Sequence, residues 1–216
     1  MLRVKDLVKR VDNVLLLRNI NFEVEKGEVI CLYGPNGSGK STLLRIIAGL
    51  ERADSGNVFF RGREITNISP WDVVESGLAY AFQIPRPFRS MTFHENLAVA
   101  CMRYLEVEEA FDLAEKTAVE FGVDHLLKRS SDRLSQGEMK ILEILRSYLT
   151  GAELLLLDEP FAGLDVENAG MLRERLHILK GKGVSMIITS HRKRILHEIA
   201  GRFIELKEGV LYAEGG

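Results

Sequence analysis

GPNGSGKS, Gly34 to Ser41, fits the pattern G-x-x-x-x-G-K-[ST]. It follows VICLY (Val29 to Tyr33), an apolar run of strand length, and opens STLLRIIAG, whose apolar residues recur at helical spacing. Gly34, Gly37 and Gly39 let backbone N–H groups turn inward around phosphate oxygens, where a Cβ would obstruct them. The helix beginning here adds its N-terminal partial positive charge. Lys40 can reach β- and γ-phosphates, and the Ser41 hydroxyl can ligate Mg²⁺. A flexible turn is the bland alternative, but the strand before and the helix after are what phosphate binding requires.

What that loop lacks is supplied by LLLLDEP, Leu154 to Pro160. Asp158, at the end of a buried strand, can hold Mg²⁺ through its water shell, and Glu159 is placed to polarise an attacking water. Alone, the stretch reads as a strand ending in solvated acids at a proline turn. Beside a phosphate loop, the catalytic reading is the stronger.

Farther out, NINFEVEKG reads as a strand and turn, NVFF as a strand closed by RGR, and LAYAF (Leu78 to Phe82) as a strand ending at Gln83. IPRPF is a proline-broken loop. Helices are expected from Thr92 to Thr150, opened by Thr92-x-x-Glu95, a capping-box pattern, and including VEEAFDLAEKTAVEFG. A second box, Ser135-x-x-Glu138, lies in DRLSQGEMK. A helix through MLRERLHILK, the strand SMIITSH and the hairpin IELKEGVLY close the chain. Parallel-type strands alternating with helices indicate an α/β core. The block between Gln83 and Leu154 is an insertion in it, not an independent domain, because the strands on either side belong to one sheet.

Composition narrows the class. The 216 residues are 46% hydrophobic and 28% charged with net charge −2, ordinary for a globular protein, so no nucleic-acid partner is expected. Cys31 and Cys101 lie far apart and the five histidines form no cluster of metal-ligand spacing. A disulfide framework or zinc site is not expected, and a reducing cytoplasm fits. There are no repeats or low-complexity tracts, and MLRVKDLVKR is no signal peptide. No run approaches the roughly 20 apolar residues of a membrane span. Any membrane-spanning part must come from another chain, and no regulatory extension is expected beyond the closing hairpin.

GPNGSGKS, Gln83 after a strand, LSQGE, LLLLDEP, AGLD (Ala162 to Asp165) and His191 after SMIITS together resemble ABC-type ATPase subunits, in order and rough spacing, over essentially the whole chain. The resemblance implies an α/β fold: a P-loop NTPase, RecA-like core with a small antiparallel β-subdomain and an inserted helical subdomain. Residues 1–216 would form one nucleotide-binding domain, with 1–83 and 151–216 as core and about 84–150 as the helical subdomain. It implies ATP hydrolysis with Mg²⁺, by a head-to-tail pair of ATPase units, identical or related, that sandwiches two ATP molecules.

Carried over by residue, the resemblance gives the phosphate loop (Gly34, Pro35, Asn36, Gly37, Ser38, Gly39, Lys40, Ser41) and Thr42 to the nucleotide. Ser41, Gln83 and Asp158 would hold Mg²⁺; Gln83 would also touch water and sense the γ-phosphate, unless it is merely a polar strand end. Glu159 would be the general base, and His191 would fix it while bonding the γ-phosphate. Asp165 would lie at the dimer seam, or cap the helix after it, or both. In LSQGE, Gln136 and Glu138 replace the family's first glycine and final glutamine, while Ser135 and Gly137 remain to meet the partner's γ-phosphate. Ser135 can cap with a lone pair and still donate its O–H. Arg146 falls where the family carries an arginine. Val11 stands where the family's adenine-stacking aromatic is usual, so weaker or less base-selective binding is expected.

The surface beside Gln83, FQIPRPFRSMTFHENLAVA, carries Ile84, Pro85, Pro87, Phe88 and Met91 between Arg86 and Arg89. The resemblance makes Gln83–Met91 the docking groove for transmembrane permease subunits, with a Pro-limited linker as the alternative. The wording is similar to branched-chain amino acid importer ATPases, and to those of lipid or lipopolysaccharide exporters. A cytoplasmic-face, peripheral membrane subunit of a solute importer is the expectation. A soluble ABC ATPase for iron–sulfur assembly is the alternative, and so is a nucleotide-binding regulator with little turnover.

Overall fold

The computed structural model describes residues 1–191 and 193–213. Its central feature is a six-stranded sheet ordered β10-β9-β3-β8-β7-β6. These strands are β3 (Val29–Tyr33), β6 (Leu78–Ala81), β7 (Leu154–Leu157), β8 (Ser185–Ser190), β9 (Arg202–Lys207) and β10 (Val210–Ala213). All neighbours pair parallel except the β9–β10 hairpin, as IELKEGVLY predicts. A second, antiparallel sheet, β2-β1-β4-β5, is built from β1 (Leu2–Val11), β2 (Val14–Val24), β4 (Ser55–Phe60) and β5 (Arg63–Glu64).

Both faces of the large sheet are covered, which is why its strands read as unbroken apolar runs rather than alternating ones. Cys31, Leu155, Leu157, Met186 and Ile188 point into one core, and Ile30, Leu32, Leu154, Leu156 and Ile187 into the other. The first core lies under the helices α3 (Phe93–Cys101), α4 (Val107–Glu120), α5 (Gln136–Leu149) and α6 (Val166–Gly181). The second lies between the sheet, helix α1 (Lys40–Ile47) and the small antiparallel sheet. All four leucines of β7 are fully buried, each contributing about 1.5–3 kcal/mol of transfer free energy. Helix α2 (Pro70–Glu75), capped by Ser69 with Pro70 in its first turn, has no counterpart in the sequence reading.

Helices α3, α4 and α5 leave the sheet after β6 and return to it at β7, and these two strands are paired, Ala81 opposite Leu157. The stretch joining them to β6, residues 82–92, is held largely by side chains. Asn96 is fully buried, takes an N–H from Phe88 and donates to the carbonyls of Phe88 and Thr92. From α5, Lys140 donates to the Gln83 carbonyl, Glu143 accepts from the N–H groups of Phe82 and Arg86, and Arg146 donates to the Arg86 carbonyl. Both predicted capping boxes are present. Thr92 with Glu95 opens α3, and Ser135 with Glu138 opens α5.

Candidate functional site

The carboxyl ends of β3, β6, β7 and β8 lie side by side in the parallel sheet, the edge where open α/β sheets hold ligands. Each end delivers one predicted group: the Gly34–Ser41 loop, Gln83, Asp158 with Glu159, and His191. Each group reaches a cleft of about 560 Å³, bounded by Asn36, Gly37, Gly39, Lys40, Ser41, Thr42, Gln83, Glu159 and His191, with Asp158 buried just behind its wall. Leu16, Arg45 and Ala162 complete its wall. Ala162 belongs to the AGLD stretch, whereas Leu16 and Arg45 carry no motif and are found only once the strands are assembled.

The loop geometry follows from its glycines. Gly37 and Gly39 have φ of 78° and 102°, and a Cβ on Gly39 would come within 2.8 Å of the Leu17 side chain. Helix α1 therefore starts at Gly39 with no side-chain cap and no acidic residue in its first turn, whereas α2, α3, α5 and α6 are all capped by side chains. Its open N–H groups face the cleft as an anion site. The Ser38 hydroxyl beside them is buried without a hydrogen-bond partner among the described residues. An uncapped helix start and an orphaned buried hydroxyl fit a phosphate group.

Lys40 is buried and donates to the carbonyls of Gly34 (2.9 Å) and Pro35 (3.1 Å), with Glu159 at 3.6 Å. Ser41 donates to Asp158 Oδ1 at 2.8 Å. Among the described residues no group of three or more His, Cys, Asp or Glu could hold a metal alone. A divalent ion between Ser41 and Asp158 would thus take most ligands from water and phosphate, as Mg²⁺ prefers. Glu159 is 9% exposed, has a left-handed φ of 45°, and lies 3.2 Å from His191 Nδ1. Such a backbone costs about 1–3 kcal/mol and persists where the surroundings over-determine it. Here the Glu159 N–H is held by Thr189 Oγ1 at 2.7 Å.

Ser135, Gly137 and Asp165 lie away from the cleft. Ser135 is exposed; its Oγ accepts the Glu138 N–H (3.2 Å), and its own N–H donates to Glu138 (2.7 Å). Gly137 packs so tightly on Asn168 that an added Cβ would lie 2.1 Å from its Oδ1. Asp165 in turn caps α6 through the Asn168 N–H (2.8 Å), which with the Asn168 amide holds its carboxyl below the usual range. Ser135 and Asp165 are thus exposed on either side of a buried Gly137–Asn168 contact.

Val11 is also outside. It sits at the tip of the β1–β2 hairpin opposite Val14, 42% exposed, and the aliphatic residue lining the cleft is Leu16. The positive-φ pair Asp12–Asn13 makes the turn there, and counting along the chain cannot give its direction. Beside Gln83, Ile84 and Phe88 stand 75% and 45% exposed, while Pro85, Pro87 and Met91 are half-buried. Arg146, expected from its position alone, stacks 5.0 Å over Phe88 and pairs with Glu143. Burial pushes the Lys140 ammonium pKa down, against the pull of Asp158, Glu143 and Glu159.

A family model described as ABC transporter matches residues 17–162. The chain is 37% identical over 227 aligned positions to the probable branched-chain amino acid transport ATP-binding protein LivG of Archaeoglobus fulgidus, covering 99% of this chain and 88% of that one. It is 32% identical to the ribose import ATP-binding protein RbsA of Caldanaerobacter subterraneus, covering 99% of this chain and 44% of that one. A solved ATP-binding cassette of an ABC transporter matches with a TM-score of 0.91 and 33% identity, over 100% of this chain and 90% of that one.

Proposed function

We propose that this chain, which belongs to the ABC transporter family, is the ATP-hydrolysing subunit of a solute importer whose substrates are branched-chain amino acids. The observation that carries the ATPase reading is the convergence of Lys40, Ser41, Asp158, Glu159 and His191 on one cleft. Lys40 exchanges the Gly34 and Pro35 carbonyls for phosphate oxygens when nucleotide enters. Ser41 and Asp158, with Gln83 at the rim, would hold Mg²⁺, which would supply neutralisation of phosphate charge. Glu159 takes the proton of the water that attacks the γ-phosphorus, ADP departs as the leaving group, and His191 orients Glu159 and the γ-phosphoryl group being transferred.

Ser135 is exposed and away from the cleft lining, so it acts on a nucleotide held by a second copy or a related chain. Its Oγ lone pair is engaged in the cap while its O–H remains a donor, which reconciles both readings of LSQGE. Among the described residues no helix is long and apolar enough to cross a membrane; a permease supplies the span and docks on Ile84 and Phe88.

The solute is tested in proteoliposomes holding this ATPase with the permease that co-purifies with it and its solute-binding protein. Leucine, isoleucine or valine should raise hydrolysis several-fold, and ribose or sulfate should not. Stimulation by ribose alone would remove the branched-chain reading and leave the transporter. Base selectivity offers a second check. With Leu16 lining the cleft and no aromatic at Val11, about 1 kcal/mol of stacking is missing. GTP should therefore compete with ATP within about tenfold in a displacement titration; strong ATP preference would show that another group reads the base.

A further inference from the structure

We infer that Tyr80 and Thr189 are positioning residues for the divalent cation, their hydroxyls fixing the Asp158 carboxylate in the orientation that receives it. The inference rests on the Mg²⁺–nucleotide reading of the cleft. Asp158 is 1% exposed and, among the described residues, accepts three side-chain hydrogen bonds, all from hydroxyls. Ser41 Oγ (2.8 Å) and Thr189 Oγ1 (2.9 Å) donate to Oδ1, and the Tyr80 hydroxyl (2.8 Å) donates to Oδ2. A carboxylate offers about four lone-pair sites, so both on Oδ1 are taken and one on Oδ2 remains. That remaining site is where a water of a hydrated cation can bond.

The chemistry of the donors matters as much as their number. Neutral hydroxyls orient a carboxylate without cancelling its charge, whereas a lysine or arginine in direct contact would compete with the metal. The nearby ammonium of Lys40 lies 3.6 Å from Glu159 instead, and Lys140 donates to the Gln83 carbonyl. Thr189 does two things with one oxygen. It accepts the Glu159 N–H at 2.7 Å, and its own hydrogen has the Asp158 carboxylate at 2.9 Å as its nearer acceptor, ahead of the Leu157 carbonyl at 3.5 Å. The orientation of the metal-side carboxylate and the backbone of the water-side carboxylate are thereby linked.

Strand register explains why these two residues serve. Leu157 lies between Ala81 on β6 and Ile188 on β8, so Thr189 stands level with Asp158 on one side. On the other side Tyr80 starts one residue short of Ala81, and only a side chain of tyrosine length reaches up to the carboxylate. Its ring packs edge-on against Phe82, centroids 4.9 Å apart, which limits its swing. Tyr80→Phe therefore removes the donor while keeping the ring.

The test is Mn²⁺ binding, as an observable stand-in for Mg²⁺, followed by electron paramagnetic resonance on the full chain with ADP. Tyr80→Phe should weaken Mn²⁺ binding about tenfold, the scale of losing an outer-shell partner. ADP affinity in EDTA should stay unchanged. Thr189→Ser, which keeps the hydroxyl, should retain Mn²⁺ binding that Thr189→Val loses. Tyr80→Phe protein with wild-type melting temperature and unaltered Mn²⁺ affinity would overturn the inference. So would a loss of ADP affinity in EDTA, which would place Tyr80 in the nucleotide cradle. Should wild-type protein with ADP take up no Mn²⁺, the Mg²⁺–nucleotide reading fails with it.

Discussion

Glu159→Gln should lower ATP hydrolysis by about 10²–10⁴-fold, the range a positioned general base supplies, while ATP still binds. The amide keeps the side chain's shape and can still meet His191, 3.2 Å away, but cannot take a proton. It also removes the negative charge 3.6 Å from Lys40, so that ammonium turns more readily to phosphate. Light scattering then decides how Ser135 works. A shift from monomer to dimer with ATP and Mg²⁺ means that the altered LSQGE closes on a second nucleotide. A variant that binds ATP and remains monomeric means that self-pairing is too weak alone, leaving Ser135 as a helix cap until a related ATPase or a permease is supplied.

Lys40→Met should abolish measurable hydrolysis and weaken ATP binding about 10–100-fold. One charge-assisted hydrogen bond is worth about 1.5–3 kcal/mol, so its loss alone accounts for that range. The defect should differ in kind from that of Glu159→Gln. Lys40 is buried and bonds the Gly34 and Pro35 carbonyls, so methionine fills the volume but frees both acceptors and leaves Glu159 without its nearest cation. Isothermal titration with ATP measures the loss directly. Wild-type affinity in the variant would mean that the helix N-terminus and loop amides hold the phosphates unaided.

Within this chain, local rules were enough wherever a feature depends on neighbours in sequence. VICLY, the glycine loop, the helix after it, the four buried leucines and both capping boxes each sit in a window of a few residues, and the α/β architecture follows from their alternation. Lys40, Ser41, Gln83, Asp158, Glu159 and His191 were legible because spaced motifs mark strand ends, and parallel strands gather those ends at one edge. Helix α2 escaped notice because six residues give too short a period to detect.

Tertiary structure alone decided the rest. Tyr80 and Thr189 meet Asp158 from strands whose relative register is invisible in either sequence. Leu16, not Val11, lines the cleft because the Asp12–Asn13 turn carries the hairpin tip out to solvent. Lys140, Glu143 and Arg146, one turn apart on α5, read as an ordinary helix face until the loop behind Gln83 packs against them. The physical reason is common to all three cases. Side-chain periodicity says which face of an element is buried, while hydrogen bonds over a few ångströms depend on which other element arrives there, and at what height.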